Sequence, residues 1–340
     1  MQFVPDVSLA EHSTMRLGGT AAFACDITSR QDLLEALMWA RDHTLPYRVI
    51  GSGSNIVWAD EGFKGLLIVN AINRFELFNE DERNTYLTVG AGENWDSVVE
   101  RSVAAGLSGI EAMSLIPGTA GATPIQNVGA YGQDISQVVA TIEAYDTTVK
   151  DFVTIPNFDC AFGYRTSKFN TTDRGRFIIT ALTLHLVRTS PLPPFYPAVE
   201  HYLTDMHKTA SPATIRDAVV SIRTSKLPDP AKIGNNGSFF SNPIVSAADF
   251  VQLEAEHGPM RHWEVDEGVK LSGAWLIEQV GYKNLHDQAT GMATWYNQPL
   301  VLVNEKAKST ADLLAFKQAI VNAVAAKFGV QLEQEPELLP

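Results

Sequence analysis

Three polar stretches of the chain hold residue types that acid–base and anion chemistry require. GNNGSFFSNP, from Gly234 to Pro243, sets Ser238 among glycines and asparagines, with two phenylalanines directly behind it. A hydroxyl there can fix a turn by bonding nearby backbone, or deliver a proton to a ligand that the loop approaches closely. FGYRTSKF, from Phe162 to Phe169, places the Tyr164 phenol beside the Arg165 guanidinium. A planar cation with five donors suits a carboxylate, and the plain alternative is a solvated arginine at a strand end. RTSKLPDP brings Lys226 to a proline turn, where a surface lysine is equally at home.

Three glycine-rich turns form a second group: GSGSN, GAGENW and IPGTAGATPIQNVGAYG, the first two following strand-like runs. Glycine lets backbone amides approach a pyrophosphate without a side chain in the way. One such turn is only a turn, but three in one half of a chain point to a large phosphate-bearing cofactor. Asn55 stands where a dinucleotide fingerprint has its third glycine, and the residues after it do not read as a helix, so the pattern is not of the Rossmann kind. The spacings of GxSxG, GxxxxGK[ST] and HExxH are all missing, which disfavours a serine hydrolase, a P-loop ATPase and a zinc protease. No metal is expected.

These residues need a scaffold, and the chain is long enough to supply one. It has 340 residues, 45% hydrophobic and 19% charged, with a net charge of −13. The cations are scattered, so no nucleic-acid surface is expected, and no membrane partner is expected either. The apolar runs are too short to span a bilayer, and the N-terminus shows no basic region followed by an apolar stretch. Cys25 and Cys160 make no CxxC pair and read as reduced thiols of a cytoplasmic protein. RQDLLEALMWARDHTLP and ENWDSVVERSVAAG have helical periodicity, and YRVI, GLLIVN and TYLTVGAG read as strands. TIEAYDTT, KDFVTIP and RFIITALTLHLV predict a sheet-rich middle. PATIRDAVVSIRTSKLPDP predicts a helix that stops at proline. From Ile244 onward the pattern is a compact α/β module, and VQLEQE near the end predicts a last strand.

In order along the chain, STMRLGGTA, IGSGSNIVW, VGAGENWDSVV, IPGTAGATPIQNVGAYG, FGYRTSKF, RTSKLPDP, GSFFSNP, VKLSGAWLIEQVG, LVLVNE and LEQE form a specific set. Through them the chain resembles the UDP-N-acetylenolpyruvoylglucosamine reductases, flavoenzymes of early peptidoglycan synthesis, over nearly its whole length. The resemblance implies an α+β protein whose FAD-binding fold, of the vanillyl-alcohol oxidase type, is made of two α/β subdomains, with a smaller α/β substrate domain. The expected divisions are 1–70 and 71–225 for the FAD-binding subdomains, with the strand 329–340 returning to the second, and 226–328 for substrate.

The resemblance also implies non-covalent FAD, NADPH as co-substrate and UDP-N-acetylglucosamine enolpyruvate as substrate, handled by a monomer. The cofactor would lie against Gly51, Ser52, Gly53, Ser54 and Asn55. It would also meet Ile116, Pro117, Gly118, Gly121, Ala122, Gln126, Asn127, Gly129, Ala130 and Tyr131. By the same likeness Arg165 polarises the substrate carboxylate, Glu335 holds that carboxylate system or Arg165, and Ser238 gives the proton. Tyr164, Lys226, Asn242, Lys270 and Gln298 are implied substrate contacts, and Tyr196 would sit on a loop that closes over the nucleotide. The C-terminus departs from the family pattern, reading LEQEPELLP. Counting without a gap selects Glu335 as the carboxylate, whereas aligning on EPE selects Glu337.

Overall fold

The computed structural model describes residues 1–340, which fall into two compact units. The first comprises Met1–Asp6, Ala22–Ser52 and Lys64–Ser225, and the second Val7–Ala21, Gly53–Phe63 and Lys226–Pro340.

Two sheets and their helices organise the first unit. A five-stranded antiparallel sheet runs in the order Asp151–Pro156, Val139–Asp146, Phe177–Val187, Asn84–Gly90, Phe75–Asn79. Its central strand, Phe177–Val187, is the long β-branched run of the sequence, and most of its residues are buried. Helix Trp95–Ala104 covers the sheet with Trp95, Val98 and Val99, which join Leu87, Val89 and Leu182 in one core. The helix begins where Asn94 accepts from the Ser97 amide, a side-chain cap that satisfies one of its free donors.

The smaller sheet has the order Val4–Ser8, Thr20–Ile27, Phe63–Asn70, Tyr47–Ile50, with the last two strands parallel. Leu33, Ala36 and Ala40 of helix Arg30–Asp42 are buried on one stripe and join Leu66 and Ile68 in their cluster. Two further helices, Pro197–Asp205 and Pro212–Lys226, share a separate cluster around Val199, Leu203, Ile215 and Val219.

The second unit is built on a four-stranded sheet of Gly234–Ser238, Gln298–Asn304, Met292–Trp295 and His286–Asp287, with a three-stranded sheet of Ile244–Val245, Gly268–Leu271 and His262–Val265. Helix Thr310–Phe328 has a capping box made by Ser309 and Asp312 and ends at left-handed Gly329, with φ of 66°. Asp60 accepts from the Thr310 and Ala311 amides at 2.7 and 2.9 Å, so a negative charge sits at the positive end of this helix. Leu313, Phe316, Ile320 and Val324 then pack with Phe239, Phe240 and Leu302.

The end of the chain corrects two expectations. Residues 331–335 form only an isolated bridge at Gln334, and the strand is Glu337–Leu339, paired in parallel with Ile56–Trp58. The segment 329–340 therefore groups with residues 226–328 and not with 71–225. Burial of Val330 and Leu332 in the core of the second unit is the physical reason. Residues 7–21 and 53–63 likewise leave the first seventy residues for that unit.

Phe239 and Phe240 are 0% and 1% exposed and meet edge to face at 5.5 Å. Phe240→Ala is expected to lower unfolding stability by about 3–5 kcal/mol, the cost of truncating a buried aromatic, measured by urea titration.

Candidate active site

Within the second unit a bulge sets the position of Ser238. Its strand pairs Asn235 with Val303 but Ser238 with Val301, so one extra residue is accommodated between the two pairs. Gly237 takes a left-handed φ of 71° in that bulge, and its amide donates to the Asn235 side chain at 2.9 Å. Bulges of this kind bend a strand and re-aim a side chain. The Phe239 amide then donates to the Leu300 carbonyl at 2.7 Å, and the buried rings behind fix the exit of the loop.

The asparagine before the bulge has a role of its own. Asn236 Nδ2 donates to the Ser54 and Ile56 carbonyls at 3.1 and 3.2 Å and reaches Thr14 Oγ1 at 3.2 Å. Ser54 and Asn55 of the first glycine turn are thereby joined to the strand of Ser238. Asn236 Oδ1 is buried and has no hydrogen-bond partner in the chain.

Glu335 lies beside the same strand. Its amide donates to the Phe239 carbonyl at 2.9 Å, and Ser241 donates to Glu333 at 3.0 Å, with Phe240 and Gln334 bridged between them. Glu335 is half-buried, whereas Glu337 is exposed and pairs with Ile56. The structure therefore brings Ser238 and Glu335 onto adjacent backbone segments.

Lys226 and Gln298 are joined through Trp295, whose indole donates to the Lys226 carbonyl at 3.1 Å and whose backbone pairs with Gln298. Asn242 Oδ1 accepts from the Gly273 amide at 2.9 Å, at the start of helix Gly273–Gln279. Lys270 pairs across the small sheet with both Ile244 and Trp263, its ammonium 5.8 Å from the Trp263 ring centre.

In the first unit, Gly51 permits a close approach. A Cβ there would lie 2.2 Å from Thr119 Oγ1, so any larger residue would push the turn off the long glycine loop. That loop is held by its own backbone: Trp95 donates to Gly118 at 3.1 Å, and Gly121 donates to Ala91 at 2.9 Å. Just before Ile116 and Pro117, Leu115 sits in a left-handed conformation with φ of 56°, costly for a branched side chain. Asp96 compensates by accepting from the Leu115 amide at 2.7 Å, and Arg216 grips the same carboxylate at 2.6 and 3.1 Å. Burial pushes the Asp96 carboxyl up, but these donors outweigh it and hold the pKa below its usual value.

The loop ends in a hairpin, with Gly129–Ala130 paired to Gln133–Asp134 around Tyr131 and Gly132. Both turn residues have positive φ, 51° and 88°, the pattern of a tight two-residue turn. Tyr131 meets Tyr196 edge to face at 5.3 Å, and both line a cavity of about 260 Å³ with Glu111, Gln133 and Phe195. Tyr196 itself caps helix Pro197–Asp205 and is 42% exposed.

Arg165 reaches this hairpin, with Nη2 donating to the Gly129 carbonyl at 3.2 Å. It has a left-handed φ of 55°, and its guanidinium lies 5.4 Å from the Tyr164 ring centre. Asn127 Nδ2 donates to the Gly163 carbonyl at 3.1 Å, so the hairpin and the FGYR turn are tied at two points.

Several positioning groups lay outside the sequence reading: Asp96, Arg216, Asn236, Trp295 and Arg223. Arg223 is one helical turn before Lys226 in RTSK, a spacing that could have flagged it. Its Nε is buried without a partner, and its guanidinium lies against the Tyr131 phenol. Burial pushes the phenol of Tyr131 up and the guanidinium of Arg223 down. No three histidine, cysteine, aspartate or glutamate side chains gather to hold a metal ion, and no helix is long and apolar enough to cross a membrane.

Comparison with known proteins follows this division. A family model described as FAD binding domain matches residues 21–148, and one described as UDP-N-acetylenolpyruvoylglucosamine reductase, C-terminal domain, matches residues 229–339. UDP-N-acetylenolpyruvoylglucosamine reductase of Cupriavidus pinatubonensis is 41% identical over 336 residues, 97% of each chain. That of Ralstonia nicotianae is 40% identical over 341 residues, 98% of each. The crystal structure of UDP-N-acetylenolpyruvylglucosamine reductase from Thermus caldophilus matches with a TM-score of 0.68 at 22% identity, covering 99% of both chains, and shares the α+β fold. With full-length relatives at this level of identity, the chain belongs to the UDP-N-acetylenolpyruvoylglucosamine reductase family.

Proposed function

We propose that this protein is a cytoplasmic, monomeric flavoenzyme that uses NADPH to reduce UDP-N-acetylglucosamine enolpyruvate to UDP-N-acetylmuramate. The observation that carries the reading is the placement of Ser238, on a glycine bulge anchored by two buried phenylalanines, directly beside the segment of Glu335.

The residues present fit FAD. Asn236 Oδ1, beside Ser54 of the glycine turn, and Arg223 Nε, beside Tyr131 of the long loop, are each buried and unpaired within the chain, as atoms that a bound group can satisfy. The turn Gly51–Asn55 and, in the long loop, Ile116, Pro117, Gly118, Gly121, Ala122, Gln126, Gly129, Ala130 and Tyr131 would hold it. When bound, FAD would supply the redox chemistry, carrying hydride from NADPH to the methylene carbon of the enol ether.

Negative charge then builds on the adjoining carbon and its carboxylate. Arg165, preset by its strained backbone and its bond to Gly129, meets that charge with a planar fork of donors. Ser238 gives its proton to the carbon, which completes the addition of hydride and proton across the double bond, and regains a proton from water. A serine is a weak acid, so alignment on a strongly basic carbon carries this step. Glu335 orients the carboxylate system. Lys226, Asn242, Lys270 and Gln298 contact the UDP-sugar, with Tyr164 and Tyr196 also on the substrate.

The test is the visible spectrum of the purified protein under anaerobic conditions. A yellow protein bleached by NADPH and restored by the enolpyruvyl sugar supports the reading. Bleaching by an alcohol or sugar with no response to NADPH would identify an oxidase, and a colourless protein that does not take up FAD would identify a binding protein.

A further inference from the structure

We infer that Asn127 is a positioning residue for Arg165, a clamp that ties the FGYR turn to the cofactor loop, and not primarily a cofactor ligand. The side chain is 7% exposed, and its two polar atoms have partners within the protein. Nδ2 donates to the Gly163 carbonyl and Oδ1 accepts from the Ser136 amide, each at 3.1 Å. Asn127 itself has a left-handed φ of 47°, a conformation that asparagine and aspartate tolerate and most residues do not.

What the clamp holds is a tight turn. Gly163 and Thr166 exchange backbone bonds at 3.0 and 3.3 Å, enclosing Tyr164 and Arg165. Arg165 is left-handed, a conformation disfavoured for a non-glycine residue, so outside contacts help the turn persist. Asn170 Nδ2 supplies one, donating to the Arg165 carbonyl at 3.2 Å, and Ser167 Oγ supplies another, donating to Ile125 at 2.6 Å. Asn127 couples the Gly163 end of the turn to the strand whose Gly129 carbonyl receives the Arg165 guanidinium. Backbone and side chain of the turn are thus registered on one loop, and loss of the Gly163 bond loosens that register.

The inference rests on the proposed role of Arg165, and the experiment separates the two. Asn127→Asp keeps the shape, the tolerance for left-handed backbone and the acceptor for Ser136, but replaces the donor to Gly163 with a repelling oxygen. In holoenzyme, flavin reduction by NADPH should stay within about twofold, while reoxidation by the enolpyruvyl sugar should slow on the order of 10- to 100-fold, as for a misplaced group. In an Arg165→Ala background the same substitution should add nothing to the reoxidation defect. Full multiplication of the two defects overturns the clamp. Hydrogen exchange of the peptide containing residues 163–166, read without substrate, should be faster in Asn127→Asp than in wild type. Unchanged exchange also overturns the clamp, whatever Arg165 does in the reaction. If exchange quickens but Arg165→Ala reoxidises normally, the clamp stands and the assigned role of Arg165 fails. FAD content equal to wild type is expected; loss of FAD with unchanged exchange would return Asn127 to the set of cofactor ligands.

Discussion

Ser238→Ala is expected to bleach normally with NADPH and then to reoxidise on the enolpyruvyl sugar at least on the order of 100-fold more slowly, the effect of removing a positioned general acid. The half-reactions separate because Ser238 is assigned only to the second. Alanine fits the same bulge, because the left-handed residue there is Gly237, and Phe239 and Phe240 remain buried. The fold and the neighbouring bond from Asn236 to Ser54 should therefore survive, and the melting temperature should move by only a degree or two. Rapid-mixing absorbance of the flavin measures both steps. Reoxidation at the wild-type rate would remove Ser238 from the chemistry, and loss of both steps would mean that the loop supports cofactor binding instead.

Glu335→Ala should slow reoxidation on the order of 100-fold, while Glu337→Ala should leave it within about twofold. The distinction is geometric. Glu335 follows the residue bridged to Phe240 and its amide is bonded to the Phe239 carbonyl, one peptide from Ser238. Glu337 is exposed, and its amide donates to Asn55 at 3.0 Å in the parallel pair with Ile56–Trp58. Steady-state assays with each variant at saturating NADPH decide between them. A dead Glu337→Ala beside a normal Glu335→Ala would reverse the assignment, and the C-terminal departure from the family pattern would then be a two-residue shift.

Helix periodicity was informative where one stripe meets one core. Trp95, Val98 and Val99 could be read as a face before any packing was known, because burial on a helix repeats every three or four residues. In the first helix the spacing of Leu33, Leu34, Leu37 and Met38 predicts the helix, but the buried stripe is Leu33, Ala36 and Ala40, and Met38 is exposed. The strand Phe177–Val187 was legible for a different reason, its β-branched run. Strand pairing was harder to read. The pairing of Glu337–Leu339 with Ile56–Trp58 joins segments nearly three hundred residues apart, and no local pattern encodes such a partner. The predicted strand at VQLEQE failed because alternation is necessary but not sufficient: Leu332 turns into the core while most of its neighbours have no strand beside them.

Residue types and their order determined the chemistry on offer: a serine among glycines, an arginine beside a tyrosine, three glycine turns and a short list of excluded motifs. They also determined the family, because ten motifs in one order leave little freedom. Only the tertiary structure decided how those residues are held. The bulge at Gly237 arises from pairing with Val301, the placement of Glu335 beside Phe239 from a bridge at Phe240, and the anchor of Asn127 from a carbonyl 36 residues away. The first two are bonds between backbone groups that almost every residue possesses, and the third needs the Asn127 amide but takes a backbone carbonyl, so each partner is set by where the packed core brings the backbone.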